Sequence, residues 1–480
     1  MQETFRNRFG LIAALLGMAI GTGNIWRFPR VMAQNGGGAF LIPWFIFLFL
    51  WSIPLLIVEF SCGQKLRQGV AGCFSTLSNG KLTWLGGFVV VCTLGIMFYY
   101  SVVTGWCLYY LGSAASGGLF QTDPKNFWES FSQNSFLPLL FHVISILLTV
   151  LIIFRGVQKG IEAANRIMVP SLFAILIFLA GYAMTLSGRS HGLEFIFNTD
   201  FSRLRDYRVW LEALTQSAWS TGAGWGIALT YACYAREHDN PVLTPFTTGL
   251  GNNSAELFAG LAIVPTLFSF FPLSEVVDLT KSGNTGLTFI ALPRLLQQMP
   301  LGRFIAILFF VALFFAAFTS LFSMFELGVY FLTDLGFPRR KSIFFLAFLA
   351  VGIGAPSALN LQFLDNQDWA WGIGLLLSGF FFSLLMRHVG MEKFCREFVP
   401  LRTPFHRFVF EFIVFWLIPF EFLALLGWWF SQAIHWDPAG WWNPFHKLSV
   451  GTCLVQWGIA LGIFFILNRK ISGRITAHRP

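Results

Sequence analysis

Runs of about 20 apolar residues, the length of helix that crosses a bilayer, recur twelve times along the chain. Their cores fall at 9–33, 39–64, 84–112, 136–154, 166–187, 210–234, 242–271, 303–333, 342–358, 369–388, 408–432 and 448–468. Only 11% of the 480 residues are charged and 55% are hydrophobic, against about 25% charged in a typical soluble domain. The 58 Phe and 18 Trp suit lipid-facing surface and interfacial belts. The fold class expected is therefore an all-α polytopic membrane protein with twelve transmembrane helices. A formal charge of +9 does not point to nucleic acid as a partner, because its meaning depends on where the positives lie.

An even number of spans returns both termini to one face. If that face is the cytoplasm, 21 of the 32 Lys and Arg fall in inner segments and 11 in outer ones. The bias follows the positive-inside rule, although the outer cluster Arg203, Arg205 and Arg208 runs against it. Both termini are thus expected in the cytoplasm, with the protein in the cell membrane, a bacterial inner membrane. The opening MQETFRNRFG lacks the basic, apolar, small-residue order of a signal peptide, so the first span is expected to be retained. Seven scattered cysteines, none in a Cys-x-x-Cys pair, read as apolar packing residues.

Two spans are faulty as lipid-facing helices. The first, LLGMAIGTGNIWRFP, places Gly21 and Gly23 around Thr22, then Asn24, Arg27 and Pro29, before the chain has crossed. The sixth, LTQSAWSTGAGWGIALTY, alternates Gly222, Gly224 and Gly226 after Ser220 and Thr221. Freed backbone groups find no water in hydrocarbon, so such breaks persist only where they are buried in protein or line a polar cavity. Span 1 opens the first five spans and span 6 the second five. Matching breaks at matching places point to an inverted-repeat transporter with its site at mid-membrane.

The run GNIWRFPRVMAQNGGGAF (23–40) closely resembles the signature of the neurotransmitter:sodium symporter family, which includes the bacterial leucine transporter. The likeness continues through IPLLIVEFSCG (53–63), Tyr99–Tyr100, RGVQKGIE (155–162), the glycine-broken span 6 and AAFTSL (316–321). It implies two inverted five-helix repeats, with helices 1 and 6 broken, followed by two further helices. The corresponding divisions are 1–187, 188–390 and 391–480.

A zwitterion at mid-membrane needs a partner for each charge. The N-terminal ends of half-helices offer N–H groups to a carboxylate, and their C-terminal ends offer C=O groups to an ammonium or a cation. The backbone of Thr22 and Gly23, with the Tyr100 hydroxyl, is expected to face an anion. The resemblance implies the same contacts for a substrate carboxylate. It also sets the amino group against the carbonyls of Ala19, Trp219 and Ser220 and the hydroxyl of Ser320. Relatives that carry amines without a carboxylate tend to have aspartate at the place of Gly21, so glycine there favours an α-amino acid. The side-chain end of the pocket would be lined by Met18, Ile96, Tyr100, Trp219, Trp225, Leu321 and Met324, with Gly222 enlarging it locally. None is charged, which favours a neutral, apolar side chain.

The resemblance further implies two sodium sites, and sodium favours hard oxygen ligands. The first would use the Ala19 carbonyl with Asn24, Ser220 and Asn252, completed by the substrate carboxylate. The second would use the carbonyls of Gly17, Ile20 and Ala316 with the hydroxyls of Thr319 and Ser320. Glu256 stands where chloride-dependent relatives carry a small hydroxyl residue, so its carboxylate is expected to replace chloride. Glu59 resembles the family glutamate that holds the break of helix 6.

For the gates, Arg27 and Asp368 match the outer ion pair, with the rings of Tyr100 and Trp219 as a lid beneath. Tyr234 and Asp334 match inner-gate positions. Gln2 and Phe5, however, depart from the family's arginine and tryptophan, leaving Arg6 or Arg8 as substitutes. Gly160 and Pro170 resemble the pair that lets helix 5 unwind and admit water to the second sodium site. Eight histidines show no ligand spacing, and no nucleophile has a base beside it, so no enzyme activity is expected. The function expected is sodium-coupled symport of a neutral, hydrophobic α-amino acid into the cell by alternating access, without a chloride requirement. The alternative is an amino-acid-binding sensor or scaffold without net transport.

Overall fold

The computed structural model describes residues 3–272, 275–276, 279, 283–399 and 403–478. Ten helices among them are long and apolar enough to span a membrane. These are helix 2 (Gly38–Leu66), helix 3 (Thr83–Ser116), helix 4 (Leu137–Phe154), helix 5 (Val157–Ala183), helix 7 (Leu243–Phe270), helix 8 (Gly302–Asp334), helix 9 (Arg339–Leu359), helix 10 (Leu361–Val389), helix 11 (Pro404–Trp436) and helix 12 (Val450–Ala477). Helix 1 is a bent pair, Arg8–Ala19 and Gly23–Gln34, with 59° between its pieces. Helix 6 is also in two pieces, Tyr207–Ser220 and Ile227–Ala232. The ten helices and the bent helix 1 make eleven spans by length and apolarity, and the two pieces of helix 6 stand where the sixth apolar run lies.

Two boundaries are displaced by nine residues, the end of helix 12, at Ala477 rather than 468, and the start of helix 5, at Val157 rather than 166. The charged RGVQKGIE run is helical after Gly156, whose φ of +79° turns the chain. Arg155 and Lys159 do not end the helix because they are exposed at the membrane face bearing the chain termini, within reach of water, and the buried Glu162 is held by the Arg6 backbone N–H and Arg166.

Proline leaves a repeated mark. The wide π-helical turns Gly23–Arg27, Leu48–Ser52, Leu287–Ala291 and Ile413–Leu417 are each followed two residues on by Pro29, Pro54, Pro293 or Pro419. A proline ring cannot sit against the carbonyl four residues back, and the wider turn relieves that clash without ending the helix.

Helices 3, 8 and 10 form the centre, with 72–83% of their apolar windows buried, whereas helices 4, 11 and 12 bury only 33%. Helices 9, 11 and 12 turn Phe348, Phe420, Phe465 and Ile466 outward, as lipid-facing surface requires. The break in helix 1 comes at Ile20, which leaves the helical region at φ −78°, ψ 95°. In helix 6, Gly222, Gly224 and Gly226 all take positive φ, from 70° to 87°, where other residues would be strained.

The amides freed by that second break are met from helix 2. The Glu59 carboxylate, fully buried, accepts from the backbone N–H of Gly224 at 2.5 Å and of Leu229 at 3.4 Å. A second tie joins the Ser52 hydroxyl to the Ser217 carbonyl at 3.0 Å, with Thr221 donating to Ser52 at 2.9 Å.

Candidate functional site

The two breaks face one another across a cavity of about 170 Å³. Of the residues expected at the substrate site, Met18, Ala19, Gly21, Thr22, Gly23, Ile96, Tyr100, Trp219, Ser220, Gly222, Trp225, Ser320 and Met324 all line it. Leu321 does not; its side chain is fully buried in the hydrophobic core. Nor does Gly222 widen the space. A Cβ built there would stand 3.1 Å from the Met18 sulfur, so the methionine fills the room the glycine leaves.

At the base, the Tyr100 hydroxyl accepts from the Thr22 backbone N–H at 2.9 Å, and Gly21 N–H donates to the Asn24 side-chain oxygen at 2.9 Å. A Cβ on Gly21 would lie 2.9 Å from the Tyr100 hydroxyl and 3.3 Å from that of Ser320. A Cβ on Gly23 would meet nothing within 4 Å. Among the described residues no charged side chain lines this base. The charged residues of the cavity, Arg27, Asp365 and Asp368, stand at its mouth on the face away from the termini.

Two clusters of oxygen atoms flank the base. In one, the Asn24 amide donates to the Asn252 side-chain oxygen at 2.8 Å, and Asn252 donates to the Ser220 hydroxyl at 3.2 Å. All three side chains are buried, so helices 1, 6 and 7 bring three of the four residues expected at the first sodium site into one chain, and Ala19 lines the cavity beside them. In the other, the Ser320 hydroxyl lies 3.4 Å from the carbonyls of Gly17 and Met18 and 3.5 Å from that of Ile20. The Thr319 hydroxyl lies 3.2 Å from the Ala316 carbonyl. Such a buried convergence of carbonyls and hydroxyls fits a hard monovalent cation.

At the mouth, the partners of Arg27 differ from the expected pair. Its guanidinium donates to the Gln216 side-chain oxygen, lies 3.4 Å from Glu212 and sits 4.7 Å over the Trp219 ring. Asp368 instead accepts from the Tyr99 hydroxyl at 2.8 Å. Trp219 stacks on Trp429 of helix 11, with ring centroids 6.0 Å apart and 8° between the planes, rather than on Tyr100. Gln216 passes the connection inward by donating to Glu256 at 2.5 Å, and Trp44 donates to the other Glu256 oxygen at 2.7 Å.

On the terminal face, Tyr234 donates to Glu326 at 2.5 Å, and Arg339 grips the same carboxylate at 2.7 and 2.8 Å. Asp334 accepts from the Gly69 backbone N–H at 2.8 Å. Neither Arg6 nor Arg8 forms an ion pair among the described residues, and Gln2 lies outside them. Phe5 is fully buried, edge-on to Tyr231 and Tyr234, and its N–H donates to the Tyr234 carbonyl at 2.9 Å.

Eleven apolar spans and a two-piece helix 6, with the breaks of helices 1 and 6 around a buried cavity flanked by oxygen clusters, define a membrane transporter. The family model for the sodium:neurotransmitter symporter family matches residues 2–135 and 137–468, and the chain belongs to that family. It is 34% identical to an uncharacterised sodium-dependent transporter of Methanocaldococcus jannaschii, over 76% of this chain and 77% of that one. A sodium-dependent transporter of Bacillus subtilis is also 34% identical, over 75% of this chain and 79% of its own length. The sodium- and chloride-dependent taurine transporter of the dog is 26% identical, over 79% of this chain and 70% of that one. Among solved structures, MhsT in complex with L-phenylalanine superposes with a TM-score of 0.79 at 30% identity, covering 89% of this chain and 99% of MhsT. The chain is accordingly a multi-pass membrane transporter of a sodium-coupled family, not an enzyme.

Proposed function

We propose that this protein carries a neutral, apolar α-amino acid into the cell together with sodium bound at two sites. The observation that carries the reading is the base of the cavity. Backbone and hydroxyl groups of Thr22, Gly23 and Tyr100 gather there with no acidic side chain beside them, and Gly21 leaves room. A substrate that brings its own carboxylate supplies the missing negative charge and completes the oxygen shell around the first sodium. A plain amine would leave the ion unpaired in a low-dielectric site, which costs several kcal/mol. The apolar remainder, Met18, Ile96, Trp225 and Met324, favours an uncharged side chain. The likeness to MhsT with its L-phenylalanine supports the same substrate class.

The cycle follows from what each cluster joins. Sodium at the second site ties the first half of helix 1 to helix 8 through Gly17, Ile20, Ala316, Thr319 and Ser320. Sodium at the first site ties helix 1 to helices 6 and 7. Closure of the outer gate then needs Arg27 to leave Glu212 and Gln216 for Asp368, and Trp219 to leave Trp429 and cover the substrate. The inner gate rests on Tyr234, Glu326 and Arg339, with Phe5 wedged beneath. Release of the second sodium to the cytoplasm frees helix 1, and the remaining cargo follows.

A thermal-shift screen of the twenty amino acids, with sodium and with potassium, tests the substrate class. Neutral apolar amino acids are expected to raise the melting temperature in sodium alone. A set of stabilising ligands made up of amines without a carboxylate would overturn the reading.

Glu256 supplies a fixed carboxylate held by Gln216 and Trp44, close to the first oxygen cluster. Replacing chloride by gluconate is therefore expected to leave sodium-driven uptake unchanged. A loss of several-fold would remove the charge-substitute role assigned to Glu256.

A further inference from the structure

Helix 5 carries two buried side-chain oxygens that accept no hydrogen bond from the described residues, Oδ1 of Asn165 and Oε1 of Glu162. Asn165 is fully buried, and its amide orientation is fixed because Nδ2 donates to the Ile161 carbonyl at 2.9 Å. That leaves Oδ1 facing helix 1. It lies 2.0 Å from where a Cβ would stand on Gly17, and Thr319 Cβ lies 3.2 Å from the same point. Gly17 and Thr319 are two of the residues assigned to the second sodium.

Glu162, 1% exposed, repeats the arrangement nearer the terminal face. Its Oε1 lies 2.2 Å from the Cβ position of Gly10 and 3.9 Å from Arg166, while Oε2 accepts from the Arg6 backbone N–H at 2.7 Å. Gly10 and Gly17 are two turns apart on one helix, about 10 Å. The Asn165 oxygen and the Glu162 oxygen, whose one cation partner is the half-exposed Arg166, thus mark a line from the second cation cluster toward the cytoplasm. It runs through the segment bounded by Gly160 and Pro170, whose first turn is already widened at Val157–Glu162.

We propose that Asn165 Oδ1 is the first stopping place of the sodium ion as it leaves the second site inward, with Glu162 Oε1 the next. The inference rests on the two-site reading given above. A cation leaving a shell of five oxygens for apolar surroundings meets a steep desolvation barrier, and a neutral amide oxygen beside the site lowers it. A carboxylate in the same place would hold the ion. Both glycines of helix 1 are required, because any side chain at Gly10 or Gly17 would fill the space these oxygens face.

The experiment uses the full-length protein with radiolabelled sodium. Asn165→Leu keeps the branched, four-heavy-atom outline of the side chain, with somewhat greater bulk, and removes the oxygen. Equilibrium sodium binding to the purified variant is expected within about twofold of the parent. In proteoliposomes, the internal sodium that half-inhibits amino-acid uptake is expected to rise about tenfold, the scale of one lost charge–dipole contact. Asn165→Asp is expected to lower it, and external sodium activation is expected to stay unchanged in both variants. Unmoved internal inhibition in both variants would overturn the proposal. So would loss of equilibrium binding together with thermal stability in Asn165→Leu, which would make the amide a packing contact to Gly17. Retained sodium binding in Thr319→Val would instead fault the assignment of the second site itself.

Discussion

Thr319→Val is expected to abolish sodium-driven uptake while leaving a folded protein. Valine matches threonine in shape, and the residue is buried on helix 8, where its hydroxyl now donates to the Phe315 carbonyl at 2.8 Å. On the proposed two-site reading, what is lost is one of five oxygens facing the second cation. A contact of that kind is worth about 1.5–3 kcal/mol, a tenfold to hundredfold weakening of sodium activation. In the proposed cycle this ion ties helix 1 to helix 8, so the coupling is expected to go with it. A sodium titration of amino-acid uptake, paired with the sodium-induced thermal shift of the purified variant, measures both. Unchanged sodium activation would place the second ion elsewhere.

Glu59→Leu is expected to cost the fold. The carboxylate is the partner of two amides freed where helix 6 breaks, at Gly224 and Leu229. Water does not reach them, and each buried N–H left without an acceptor costs about 1–3 kcal/mol. A total of about 2–6 kcal/mol is a large part of the stability of an ordinary domain. Aggregation on size exclusion, or a melting temperature lowered by many degrees, is the expected outcome. Glu59→Gln keeps one acceptor and is expected to recover much of the loss. A monodisperse Glu59→Leu protein with an unaltered melting temperature would contradict the role.

What the sequence made legible follows from which forces act locally. Span number and the two broken helices were readable because hydrocarbon punishes any exposed backbone, so a glycine cluster inside an apolar run has few explanations. Asn24, Ser220 and Asn252 lie on three helices, yet their shared place followed from motif resemblance, and they form one hydrogen-bonded chain.

Pairings that depend on rotamers were not legible. Arg27 had two acids within reach of its fork, and nothing in the order of residues says that Glu212 rather than Asp368 holds it in this conformation. The start of helix 5 was hidden because charges that snorkel to a membrane face look like loop residues. The bond between Glu326 and Arg339 joins the ends of two helices across a turn, and neither residue carries a motif. Asn165 gave no signal at all. Its meaning comes only from a glycine on another helix that leaves its oxygen exposed to nothing polar.

The central claim is coupling of amino-acid movement to sodium, and reconstitution tests it most directly. Purified protein in proteoliposomes would be given a radiolabelled amino acid taken from the thermal-shift screen, under an inward sodium gradient and under a matched potassium gradient. The account predicts accumulation above the external concentration in sodium, collapse of that accumulation when the gradient is dissipated, and none in potassium. Sodium-dependent binding of the amino acid with no accumulation under either gradient would contradict it, and would mark the protein as a sensor that holds its ligand without moving it.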